Sequence, residues 1–141
     1  MPWDYEVVEA FFLNQRNQYL EVELSPHGQH LLLMLNGQRN MVKDKLPLRT
    51  FSADISGNTW TGQAVLPRSY FPPGVTKFNA YAIHGQGSNR VYESLYPAKN
   101  LDQPDFHRLE FFQDINMTQV LDHYDPHQVS NLWLPYETVV G

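Results

Sequence analysis

Tyr19-Leu20-Glu21-Val22-Glu23-Leu24 decides the fold class, because every second residue changes character. Leu20, Val22 and Leu24 fall on one side of an extended chain, and Tyr19, Glu21 and Glu23 fall on the other. That is the period of a β-strand with one face in a core. Upstream, residues 5–13 are rich in Val and Phe, and the polar turn Asn14-Gln15-Arg16-Asn17 joins the two runs. Downstream, Ser25-Pro26-His27-Gly28 turns the chain. Residues 30–35 then form a nearly continuous apolar run, as in a strand covered on both faces. Asn36-Gly37 is a hairpin dipeptide, and Ser56-Gly57-Asn58 between the runs at 48–55 and 59–66 is a second hairpin signal. Residues 67–74 make a Pro-rich corner, 75–83 and 91–96 read as strands around a Gly-rich loop, and 106–112 are expected to close the sheet. Residues 115–121 could form a short helix that ends before Asp125-Pro126, and Leu132-Trp133-Leu134 is an apolar anchor. Short strands and turns at this spacing predict an all-β antiparallel sandwich or barrel.

Composition narrows the function. The chain has 141 residues, no cysteine, 10 Lys+Arg against 15 Asp+Glu and a net charge of -5. The length suits one domain. We expect a sandwich domain over residues 1–112, with 113–141 as a tail packing on it. The missing cysteines exclude a disulfide scaffold, a thiolate zinc site and a cysteine nucleophile. The acidic balance argues against a nucleic-acid surface. No apolar stretch reaches the roughly 20 residues of a membrane span, and no basic start leads into an apolar run. A soluble cytoplasmic protein without membrane or nucleic-acid partners is the expectation.

Longer stretches carry a resemblance. Trp3 to Phe12, Tyr19 to His30, Tyr70 to Asn79, Ala82-Ile83-His84-Gly85, Pro104-Asp105-Phe106-His107 and Leu132-Trp133-Leu134 closely resemble a vertebrate family whose human member is named for chromosome 4 open reading frame 33. The likeness spans nearly the whole chain but brings no activity with it. Members of that family carry a substantial segment before the Trp-Asp-Tyr-Glu motif, so the resemblance implies an N-terminally short form lacking some sheet strands. A more distant likeness concerns the order of motifs. Glu9 to Leu13, Tyr19 to Gly28, Trp60 to Pro67, Phe78-Asn79 and Phe106 to Phe111 resemble, in sequence, the strands of family-nine carbohydrate-binding modules. That likeness implies a jelly-roll-like β-sandwich and a carbohydrate or carbohydrate-like ligand.

Sugar recognition needs aromatic faces for stacking and carboxylates or amides to pair the hydroxyls. Trp3 lies six residues before Glu9, so in a strand both point to one face, and this resembles the aromatic-plus-acid arrangement of family-nine modules. Tyr5, Val7, Phe11 and Leu13 share that face, so a core face with Glu9 as a buried acid is the competing reading. Tyr92, beside Asn89 and the Gly-rich loop, is the candidate for an opposing aromatic. Tyr19, Glu21 and Glu23 either pair hydroxyls or form an ordinary solvated face. The paired acids carry little weight as a glycosidase signature, because such pairs are common on strands. No nucleophile elbow, P-loop or dinucleotide motif is present. His27-x-x-His30 straddles a turn and His123-x-x-x-His127 contains Pro126, so neither has the helical spacing of a zinc site. Calcium through Asp/Glu oxygens stays open in this fold class, although no EF-hand loop is present. The expectation is a non-catalytic binding module without cofactor or metal. A protein-interaction domain using an exposed sheet edge is the alternative, and an intracellular hydrolase the third reading.

Overall fold

In the computed structural model, which describes residues 6–85, 87–98 and 105–137, the alternating runs pair as antiparallel strands. The first four form a meander: β1 Glu6–Asn14, β2 Gln18–Leu24, β3 His30–Asn36 and the short β4 Met41–Lys43. The turns have the backbone their sequences call for, with Asn17 (φ 59°) between β1 and β2 and Gly28 (φ 88°) between β2 and β3. The chain then leaves the sheet for a separate hairpin, β5 Phe51–Ser56 and β6 Thr59–Ala64, closed by Gly57-Asn58. It returns through the Pro-rich corner into β7 Val75–His84, which pairs with β1, and β8 Val91–Ser94 follows at that edge. A two-residue β9 Gln113–Asp114 also pairs with β7. The large sheet therefore runs β4-β3-β2-β1-β7-β8.

The sheet is apolar on both faces. On one, Leu20, Val22, Leu32 and Met34 are buried under Leu46, Tyr70, Phe71, Met117 and Trp133. On the other, Phe11, Leu13, Tyr19, Leu35 and Tyr81 pack with Phe112, and Phe106 and Leu109 close over them. This explains the continuous apolar run of β3: Leu32 and Met34 serve one core, while Leu33 and Leu35 serve the other. Among the described residues, turns and the tail cover both faces, and the second sheet is only the β5–β6 hairpin. The all-β antiparallel class holds. No helix among the described residues is long and apolar enough to cross a membrane.

Three elements differ from expectation. Residues 106–112 do not close the sheet as a strand. The amides of Phe111 and Phe112 bond back to Arg108 and Leu109, forming a 3-10 turn at Leu109–Phe111 that removes them from a ladder. The helix expected over 115–121 shrinks to one turn, α1 Met117–Val120, capped by the Asn116 side chain. The strand at 91–96 stops at Ser94, because Tyr96 N–H donates to the Asn79 side chain.

Candidate functional site

The pairing register builds a polar row across the second face. Glu9 on β1 stands opposite Glu23 on β2 and Tyr81 on β7. Glu23 faces Leu31 on β3, and Tyr81 faces Ser94 on β8. One row further, Phe11 of β1 stands between Glu21 and Asn79. Glu9, Glu21 and Glu23 thus converge, each offering a carboxylate oxygen within 4.8 Å of the others. Glu9 is 6% exposed and Glu21 4%, whereas Glu23 is half-buried.

Such crowding resists ionisation. Two full charges about 5 Å apart repel by roughly 3 kcal/mol at an effective dielectric near 20. Burial raises the Glu9 carboxyl well above the usual range, and a hydrogen bond to Glu23 and the charges of Glu23 and Glu21 raise it further. Burial first, and then the Glu23 charge, push Glu21 up to about 8. Its Oε1 is buried without a hydrogen-bond partner among the described residues. The His107 Nε2 lies 3.6 Å from it, beyond hydrogen-bonding distance.

A second layer fixes His107 beside the acids. Its Nδ1 lies 2.7 Å from the Tyr19 hydroxyl oxygen, which also accepts the Arg39 backbone N–H at 3.0 Å. The Arg39 guanidinium pairs with Asp105, which accepts the His107 backbone N–H. Burial and then the Arg39 charge lower the imidazole's proton affinity. Tyr81 stacks on Phe106 with ring centres 3.9 Å apart and donates its hydroxyl to the Phe106 carbonyl. Asn79, fully buried, donates to that hydroxyl and to the Tyr96 carbonyl. Residues 105–107 are therefore fastened over the sheet from two sides.

Of the expected site residues, the fold brings Glu9, Glu21 and Glu23 together. The solvated face expected at Tyr19, Glu21 and Glu23 is not observed. Tyr19 and Glu21 are buried because the 105–112 segment covers that face, and Tyr19 supports His107 from beneath. Tyr92 projects from the same face opposite Ile83, 43% exposed, with its ring edge-on to Phe106. Asn89 is exposed in the β7–β8 connection, off the strand rows. Trp3 lies outside the described residues. His107, Tyr81 and Asn79 escaped the sequence reading as site residues. Asn79 and His107 do lie in the stretches that carry the family resemblance, but no spacing ties residue 107 to residue 21. A separate cleft between the Pro-rich corner and the tail is lined by Arg68, Phe71, His123, Tyr124 and Asp125, and none of the expected site residues reaches it.

Comparison with known proteins follows the length of the chain. It is 53% identical over 137 residues to the UPF0462 protein C4orf33 homolog of Danio rerio, covering 93% of this chain and 69% of the relative. The Mus musculus homolog is likewise 53% identical over 137 residues, covering 93% and 71%. The Homo sapiens protein, UPF0462 protein C4orf33, is 53% identical over 138 residues, covering 94% and 69%. No family model matches the chain, and no solved structure matches it.

Proposed function

The chain belongs to the UPF0462 (C4orf33) family, and we propose that this all-β member is a non-catalytic binding module for a carbohydrate or a ligand with similar hydroxyls. The observation that carries the reading is the row Glu23–Glu9–Tyr81–Ser94 with Tyr92 on the same sheet face. Half-buried Glu23 offers acceptor oxygens for a pair of hydroxyls. The exposed Tyr92 ring offers a flat apolar face for a pyranose, in the role that family-nine modules, by motif order, suggest for an aromatic. The jelly-roll-like sandwich belongs to this same reading.

The acids support binding over hydrolysis. Glycosidases hold their two carboxyls about 5 Å or more apart so that the bond to be cleaved fits between them. Here Glu9 and Glu23 share a hydrogen bond, which leaves no room between that pair for a glycosidic bond. The test is a broad glycan array followed by calorimetry on the parent and on Glu23→Gln, Tyr92→Ala and Trp3→Ala. At least one saccharide should bind and weaken tenfold or more in the Glu23 or Tyr92 variant. A folded parent that binds nothing across the panel would overturn the reading.

One observation favours a second reading, a protein-interaction domain. Ile55 and Val65 stand exposed on and just beyond the β5–β6 hairpin, which pairs with no other strand among the described residues. A stoichiometric protein partner that is lost on Ile55→Asp, with no saccharide binding, would decide for it.

A further inference from the structure

We propose that Glu9, Glu21 and Glu23 form a site for a divalent cation that prefers oxygen ligands, Ca2+ or Mn2+. Their geometry is the first support. Three carboxylate oxygens from two paired strands lie within 4.8 Å of one another. Two oxygens bound to one Ca2+ at about 2.5 Å stand up to about 5 Å apart, so small side-chain adjustments bring the three within reach of one ion.

The second support is independent of the clustering. Glu21 is 4% exposed, yet its Oε1 has no hydrogen-bond partner among the described residues. A buried carboxylate oxygen normally has at least one partner, and leaving it bare costs free energy. The other two carboxyls do not meet that need, since Glu9 and Glu23 bond to each other. A cation held by the Glu21 carboxylate together with Glu9 and Glu23 would give the bare oxygen a partner and replace carboxylate repulsion with attraction.

The surroundings fit a hard ion. The trio supplies oxygen alone and the chain has no cysteine, which disfavours soft metals. Half-buried Glu23 leaves an approach through which water can complete the shell. The β1–β2 ladder fixes Glu9 opposite Glu23, so little ordering is needed on binding. His107 stands at the edge of the cluster, 3.6 Å from Glu21. The inference shares residues with the carbohydrate reading but does not rest on it, because the ion is tested without saccharide.

The full chain, stripped with a chelator, is titrated separately with CaCl2 and MnCl2 and followed by calorimetry and thermal melting. One ion or both should bind with one-to-one stoichiometry and raise the melting midpoint saturably. Glu9→Gln and Glu21→Gln should each weaken binding at least tenfold. Glutamine matches the shape of the protonated acid, so the cation-free variants should melt no lower than the cation-free parent. If a buried variant fails to fold, Glu23→Gln at the half-buried position carries the same expectation. Absence of binding by both ions, or undiminished binding in the folded Gln variants, would overturn the proposal. Saccharide binding without cation binding would overturn this proposal alone.

Discussion

Glu9 and Glu21 sit where their ionised forms have little water, and their protons respond to folding. An unfolded glutamate ionises near 4.5, while folded Glu21 holds its proton up to about 8. Between those values the folded chain carries a proton that the unfolded chain has lost, so raising the pH favours unfolding. The contribution is fully present below about pH 4.5 and is lost as the pH climbs through the folded value; Glu9 acts in the same direction. In chelator, the stability gained by Glu21→Gln over the parent should therefore grow from pH 5 to pH 8. Melts across that range would show it, and a pH-independent difference would contradict the assignment. Tyr19 is the other informative residue. Tyr19→Phe removes the oxygen that serves both the His107 ring and the Arg39 amide. Leaving such groups unpaired costs roughly 1–3 kcal/mol, and urea unfolding should show a loss of that size. An unchanged midpoint would mean that water replaces the hydroxyl.

At the level of elements, alternation predicted the strands well where each had one residue set per core. β2 is legible because Leu20 and Val22 serve one core while Tyr19 and Glu21 serve the other face. The 106–112 segment misleads because its aromatics serve the core from a turn: Phe106 stacks on Tyr81, and Phe112 packs edge-on against Phe11. Apolar content alone does not separate a strand from a turn that plugs a sheet. The tail is the converse case, since a three-residue apolar motif marks a principal core contact. Trp133 is fully buried, and its Nε1–H donates to the Tyr70 carbonyl at 2.8 Å, tying the tail to the Pro-rich corner. Trp133→Ala opens a cavity and strands that carbonyl, so a loss of about 3–5 kcal/mol is expected. Chemical denaturation would measure it, and a loss below 1 kcal/mol would show that the tail is dispensable to the core.

Across the whole molecule, the cores lie on opposite faces of one sheet and share its strands. Met117 and Trp133 of the tail belong to the same buried cluster as Leu20 and Met34. Sheet and tail should therefore unfold together. Far-ultraviolet circular dichroism, which follows the sheet, and the near-ultraviolet signal lost in Trp133→Phe, which follows the tail, should give coincident melts. A tail transition well below that of the sheet would refute this coupling.

By itself the sequence determined the all-β class, the turns and which residues of each strand share a face. These follow from local rules: a period of two, the positive φ that Asn and Gly tolerate, and the dipeptides that fit tight turns. It also carried the family through long contiguous likeness. Only the tertiary structure decided that Glu9 meets Glu23 and Glu21, that Tyr19 is buried, and that His107 comes to rest beside the acids. Those contacts depend on strand register and on where a turn 86 residues away from Glu21 settles. The free energy that selects them is the burial of Phe11, Tyr81, Phe106 and Phe112 together, a non-local quantity that no spacing along the chain records.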